Sequence, residues 1–369
     1  MSASATEQRL ANFSAGPAVL PVPVLERIRD EILCLPGAGA SVMELSHRSK
    51  PYIAVQEGAK QRIHRLLGLD DSFEVLFLQG GSRIQFSMVP MNLLGGVSGP
   101  GQYILTGSWG KNAVGEAKKV GDTEVIFDAK ETNYDRLPQA DELSIDPSAA
   151  YLHLTSNETI QGVQFQSDFD AGSVPLVCDA SSDFMHRPYD MSKYDLIYAC
   201  AQKNAGPAGV TVVVIKKELL ERSQDSLPGY MNYKNHAGAD SMWNTPPTFA
   251  VYVLGLVAEW LEDTIGGLAA MHEVNKQKAE LLYDVLDAYP EFYLGHAQKS
   301  DRSLMNVTFR FGNDESQEKF LARAADSGMI TLKGHRSVGG IRASIYNAMP
   351  VENVQQLASF MSDFAASNA

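Results

Sequence analysis

The sequence predicts an α/β protein built on a mainly parallel sheet with helices on both faces, joined to a smaller α+β unit. Two observations carry that prediction. Short, near-continuous apolar runs alternate with helical stretches over the first two thirds of the chain, the pattern of strands buried on both faces. Beyond Pro246-Pro247 the pattern changes to long amphipathic helices followed by mixed strands and helices, which marks a second unit.

FEVLFL (73–78) reads as a buried strand that runs through the turn Gln79-Gly80-Gly81-Ser82-Arg83 into an apolar helix ending near Leu94. QYILTG (102–107) precedes a helical stretch over 110–119, TEVIFD follows, AYLHLTS ends at Asn157-Glu158-Thr159, and SVPLVCDA ends just past Asp179. DLIYACAQKN (195–204) is the next strand. GVTVVVIKK (209–217) comes after only a short Ala-Gly-Pro-Ala turn, too brief for a parallel crossover, so it is predicted to run antiparallel to its predecessor. Helices are expected at Phe249–Leu261 and Leu268–Leu286. After them come strand NVTFRF (306–311), a helix over Glu315–Ala325, the stretches MITLKG and GIRASIY, and a last helix over Glu352–Phe364. The expected division is residues 17–260 for the large unit, and 1–16 with 261–369 for the smaller one.

Composition sets the class. With 44% hydrophobic and 20% charged residues in 369, the chain is an ordinary globular protein with room for two cores. A net charge of -13 argues against a general nucleic-acid binder, which needs a basic face, so an anionic ligand must be held by a local cluster. No apolar run is long enough to cross a bilayer, and no leader pattern is visible, so a cytoplasmic location is expected. Cys34, Cys178 and Cys200 lack metal-ligand spacing and are expected to be buried, inert thiols; no metal site is expected.

In open α/β sheets, ligands gather at the carboxyl ends of parallel strands, and Gly81 to Arg83, Trp109, Thr159, Asp179 and Lys203 all fall at such ends. Asp179 alone reads equally well as a helix cap or a structural ion pair, and Lys203 alone as a solvated surface residue. Together they suit a cofactor that needs an amine for its aldehyde and a carboxylate to keep a ring nitrogen protonated, as pyridoxal phosphate does. Trp109 offers a flat face to such a ring, and the Gly80–Arg83 helix start offers backbone N–H groups to a phosphate. A second cluster is basic: His47-Arg48, and His335-Arg336 with Arg342 among glycines, a suitable receptor for carboxylate or phosphate.

At these residues the chain resembles the phosphoserine aminotransferases, fold-type-I enzymes of serine biosynthesis. The resemblance runs from NFSAGPAVLP (12–21) through SHRSK, QGGSR, SWG, SNETIQG, DASSDF, AQKNAGPAG and WNTPPT to KGHRSVGGIRASIYNAMP (333–350). It implies a seven-stranded large sheet, pyridoxal 5'-phosphate as cofactor, and a homodimer with shared active sites. It further implies that Lys203 carries the cofactor, Asp179 partners the ring nitrogen, Trp109 stacks on the ring and Thr159 meets the phenolic oxygen. Ser82, Arg83 and Gln202 would hold the phosphate, joined by Asn244 and Thr245 of the neighbouring subunit. Arg342 would bind the α-carboxylate, and His47, Arg48, His335 and Arg336 the second anionic group. The implied reaction is ping-pong transfer between glutamate and 3-phosphooxypyruvate, giving phosphoserine and 2-oxoglutarate, with a related acid of pyridoxine biosynthesis as a further substrate.

Two other readings stay open on the residues alone. One is another pyridoxal-phosphate enzyme on the same scaffold, either an aminotransferase for unphosphorylated acids or a cysteine desulfurase; the latter needs a reactive thiol on an exposed loop. The other is a noncatalytic protein that binds small anions with the basic cluster.

Overall fold

The computed structural model describes residues 9–368. Of the N-terminal segment expected in the smaller unit, residues 1–8 lie outside the described residues. Two helices, α1 (Val22–Glu31) and α2 (Lys50–Leu67), precede the first sheet strand. Gly68 closes α2 in the left-handed conformation, its N–H returning to the Arg65 and His64 carbonyls.

Seven strands make the large sheet: β1 (Phe73–Leu78), β2 (Gly101–Leu105), β3 (Thr123–Asp128), β4 (Tyr151–Thr155), β5 (Leu176–Asp179), β6 (Leu196–Cys200) and β7 (Thr211–Lys216). Their order is β1-β7-β6-β5-β4-β2-β3. β7 is antiparallel to both of its neighbours, as the short turn before it predicts, and the other pairings are parallel.

Successive side chains point to opposite faces of a strand, and the two cores divide accordingly. Val75, Phe77, Ile197, Ala199, Val212 and Val214 pack with Ala59, Ile63 and Leu67 of α2 and with Val251 and Leu254 of α5 (Thr248–Glu259). The intervening Leu76, Leu78, Leu196, Tyr198, Val213 and Ile215 pack with Phe86 and Val89 of α3 (Gly81–Leu93) and with Ala113 and Ala117 of α4 (Ser108–Ala117). Truncating a buried aromatic such as Phe77 to alanine should remove about 3–5 kcal/mol. The loop ends therefore sit on a stiff base.

Long helices directly follow only β1 and β2, and a four-residue helical turn, Lys217–Leu220, follows β7; β4, β5 and β6 are joined by turns and short 3-10 segments rather than by the full helices that strict alternation would supply. Helix coverage comes instead from α2 and α5, which lie far from one another in sequence.

Helix α6 (Leu268–Ala288) belongs to two cores. Leu268 and Met271 pack with the large sheet, whereas Ala279, Leu282 and Leu286 pack in a second cluster with Ala11, Phe13, Phe309, Phe320 and Phe364. That cluster lies between α7 (Asp314–Asp326), α8 (Val351–Asn368) and a three-stranded antiparallel sheet of β8 (Leu294–Gly295), β9 (Asn306–Arg310) and β10 (Ile341–Ser344). MITLKG does not form a full strand: Met329–Ile330 pairs parallel to Ala11–Asn12, Thr331 with a left-handed φ of 62° ends that ladder, and Lys333 makes only an isolated antiparallel bridge to Ile341. Helix α5 passes into a single π-helical segment, Trp260–Thr264, before α6 begins.

Candidate active site

Lys203 lies on the turn that joins β6 to β7. Its Nζ donates to Thr159 Oγ1 at 2.7 Å and stands 5.2 Å from the centroid of the Trp109 ring. Thr159 is presented by a two-residue ladder, Asn157–Glu158 against Val163–Gln164, that fixes the loop after β4. Trp109 is the second residue of α4, which starts immediately past the end of β2.

Asp179 ends β5, is 3% exposed, and projects into the same space. Its Oδ1 accepts from Ser181 N–H at 3.0 Å and from the Ser181 hydroxyl at 2.5 Å. Burial pushes the Asp179 carboxyl up, while the Ser181 bonds and the charge of Lys203 pull it back down. A carboxylate so placed calls for a cation.

The turn after β1 supplies the third wall. Gly80 and Gly81 have φ of 92° and 64°, values that favour glycine, and they lead into α3, whose first turn has no side-chain cap. Ser82 Oγ lies 2.5 Å from Ser181 Oγ, tying this turn to the Asp179 loop, and the Arg83 guanidinium carbon stands 5.5 Å from the Trp109 ring.

These groups line one cavity of about 370 Å³, together with Gln202, His335, Arg342 and Cys200. Burial holds the Arg342 guanidinium below its ordinary value. His335 is also lowered, by burial first and then by the charges of Arg342 and Arg336. Two polar atoms of the lining, Trp109 Nε1 and Thr155 Oγ1, are buried without a partner.

His47, Arg48, Arg336, Asn244 and Thr245 do not line this cavity. His47 is half-buried, the other four are exposed, and the Thr245 carbonyl accepts from Gln79 Nε2 at 3.1 Å beside the glycine turn. Cys178 and Cys200 are buried as expected, but Cys34 is exposed; it follows α1 in a loop in which its neighbour Leu33 is exposed as well. Among the described residues no cluster of His, Cys, Asp or Glu is arranged to hold a metal ion, and no helix is long and apolar enough to cross a membrane.

Sequence reasoning missed Ser181 and Glu158. The spacing Asp-x-Ser at 179–181 is a turn signal in which the acid side chain takes a backbone N–H two residues on. Glu158, three residues past the end of an apolar strand, carries no sequence signal that sets it apart from a solvated acid.

The sequence pattern of the aminotransferase class-V family matches residues 10–357. The chain belongs to that family. A phosphoserine aminotransferase of Rhodopirellula baltica is 56% identical over 369 residues, 100% of this chain and 98% of its own. One from Bacillus subtilis is 47% identical, covering 98% of this chain and 99% of its own. Among solved structures, the phosphoserine aminotransferase of Bacillus circulans subsp. alkalophilus superposes with a TM-score of 0.95 at 45% identity, covering 98% of this chain and 99% of that one. The PLP-bound enzyme of Trichomonas vaginalis gives 0.90 at 38% identity, over 96% of this chain and 99% of that one. An aspartate aminotransferase of Thermus thermophilus, at 18% identity and a TM-score of 0.78, shares the fold.

Pyridoxal phosphate is the cofactor of this aminotransferase, and the lining fits it. An amine, a buried carboxylate and an indole face surround one space. The uncapped start of α3 with Ser82 and Arg83 suits a phosphate. The unpartnered Thr155 Oγ1 and Trp109 Nε1 are polar atoms that a bound heteroatom can satisfy.

Proposed function

We propose that this aminotransferase moves the amino group of L-glutamate to 3-phosphooxypyruvate, giving O-phospho-L-serine and 2-oxoglutarate. The observation that carries the reading is the meeting of Lys203, Asp179 and Arg342 in one cavity, in a chain similar over its whole length to phosphoserine aminotransferases.

When bound, pyridoxal phosphate supplies an electron sink that acidifies the substrate Cα–H. Lys203 Nζ, oriented by the Thr159 hydroxyl and freed when the substrate amine replaces it on the cofactor, would move the proton off the donor's Cα in the first half of the exchange and deliver one to the acceptor's Cα in the second. Asp179 would keep a proton on the ring nitrogen through its negative charge, and Ser181 holds that carboxylate in place. Trp109 would cover one face of the ring, and Ser82, Arg83 and Gln202 would hold the phosphate. Arg342 binds the α-carboxylate common to both amino acids and both oxo acids. His335 with Arg336, and His47 with Arg48, would receive the second anionic group, a phosphate in one substrate and a carboxylate in the other; of these four, His335 alone lines the cavity within one chain.

The assembly is a homodimer in which Asn244 and Thr245 of the partner subunit complete the phosphate site. In support, Asn244 and Thr245 are exposed and lie outside the lining formed by their own chain. The proposed division is residues 17–260 for the cofactor unit and the remainder for the smaller one, supported by the apolar cluster shared by Ala11, Phe13 and residues from Ala279 onward, while Leu261, Leu268 and Met271 still pack on the large sheet. The same reading extends to a cytoplasmic enzyme, in keeping with three free cysteines, and to a phosphorylated acid of pyridoxine biosynthesis as a second acceptor.

The test is an initial-rate assay with glutamate and either 3-phosphooxypyruvate or pyruvate as acceptor. A receptor built for a second charged group should favour the phosphorylated acid by at least about 100-fold in kcat/KM. Equal use of pyruvate overturns the substrate assignment. Lys203→Ala should abolish turnover and the visible absorbance of covalently held cofactor; retention of that band after removal of free cofactor overturns the role of Lys203.

A further inference from the structure

Glu158 is a charged side chain with no exposure at all. Its Oε2 accepts from the backbone N–H of Trp109 at 3.0 Å, and its Oε1 from that of Gly110 at 2.8 Å. These are the second and third residues of α4, and the residue that precedes the helix, Gly107, gives no side-chain cap. A carboxylate from a distant loop thus satisfies two of the open donors at the positive end of the helix. Gln161 extends the arrangement: its Oε1 accepts from Ser108 N–H at 3.3 Å and its Nε2 donates to Ser108 Oγ at 2.8 Å.

The glycine of TGSWG that precedes the helix is explained by this contact. Gly107 has a φ of 177°, extended backbone open to any residue, so conformation does not require glycine there. Space does, because a Cβ at 107 would stand 2.4 Å from Glu158 Cδ. Two acceptor oxygens are required as well. A glutamine at 158 would offer one oxygen and one NH2, and the NH2 would meet an N–H head on, donor against donor. Burial raises the Glu158 carboxyl to about 7, the Asp179 charge adding to the rise, while the two N–H bonds and Lys203 act against it. The Trp109 ring is not fixed by its own polar atom, since Nε1 has no partner.

We propose that Glu158 is the positioning residue for Trp109, setting the height and tilt of the indole through the first turn of α4 while its neighbour Thr159 sets Lys203. This rests on the reading that Trp109 faces the cofactor ring. One short segment then aligns two sides of the cofactor site.

The test measures the pyridoxal phosphate dissociation constant by equilibrium dialysis, together with the melting temperature, for Glu158→Gln, Trp109→Ala and the double variant. Loss of one charge-assisted bond should weaken cofactor binding about tenfold in Glu158→Gln, with no further loss when that change is added to Trp109→Ala. Additive losses, or a change under twofold in Glu158→Gln, overturn the proposal. An unaltered dissociation constant in Trp109→Ala overturns the assignment of that ring to the cofactor, and the positioning role with it. Gly107→Ala gives an independent route that keeps the charge and displaces the carboxylate; it should show the same non-additivity with Trp109→Ala, and additivity there overturns the proposal even if Glu158→Gln does not fold.

Discussion

Replacing Asp179 with asparagine removes one charge and almost no volume. In the native protein Oδ1 is committed to Ser181, through its N–H at 3.0 Å and its hydroxyl at 2.5 Å, and an asparagine carbonyl can keep both bonds. What disappears is the negative charge coupled to Lys203, which on the proposed reading would also partner the cofactor nitrogen. For an exposed pair that loss would be worth about 1 kcal/mol or less. Asp179 is 3% exposed, so the range for breaking a buried pair applies, about 3–5 kcal/mol. At about 1.4 kcal/mol per factor of ten, kcat/KM should fall by roughly 150- to 5,000-fold. Initial rates with glutamate at saturating cofactor measure it, with the melting temperature followed alongside so that rates are compared on folded protein. A loss smaller than tenfold would show that the charge on Asp179 is not what sustains the chemistry.

Arg342→Ala should weaken both half-reactions by roughly 10- to 150-fold, the worth of a charged hydrogen bond, because all four substrates carry an α-carboxylate; single-turnover spectra of each half show it, and a defect in one half alone counts against the assignment. Lys278 is fully buried, donates to the carbonyls of Ile345 and Tyr346 at 3.0 and 2.6 Å, and is held by burial to about 7. The folded protein therefore releases this proton more readily than the unfolded chain, so its contribution to stability rises with pH between about 7 and 10.5 and is lost as pH falls through that window. Urea unfolding of wild type and Lys278→Met across this range should diverge by up to about 1.4 kcal/mol per pH unit, and parallel profiles would refute the shift. Gly162→Ala places a Cβ 2.6 Å from Thr308 Oγ1 and 2.7 Å from the Asn306 carbonyl at a φ of +71°. It should destabilise the protein by about 2–4 kcal/mol, read as a lowered urea midpoint.

Much of the large sheet was legible because its strands carry their own evidence. FEVLFL is apolar at all but Glu74 and TVVVIK carries the unbroken apolar run Val212–Ile215, and a strand buried on both faces leaves that mark. The reversal of β7 followed from the length of one turn. MITLKG failed for a local reason: a single left-handed threonine ends the pairing, and no residue type announces it. The cavity residues at strand ends were legible from position. His47, Arg48, Arg336, Asn244 and Thr245 were not placed by position, since they fall in loops whose course depends on packing between distant segments. Glu158 escaped because its partners are backbone N–H groups, which a sequence does not distinguish from any others.

The strand Thr211–Lys216 runs against its neighbours, and this makes the segment that bears Lys203 a hairpin instead of a loop leading to a helix. Both stems of the hairpin belong to the middle of the sheet, each paired on two sides. An amine mounted in this way cannot drift when peripheral helices breathe, because any excursion must slip two interior ladders at once. Lengthening the connector by even one residue would feed slack directly to the reactive nitrogen, whereas insertions after Leu94 or Ala117 would leave it untouched. For anyone recombining segments among related enzymes, the stretch from β6 through β7 should travel as one piece.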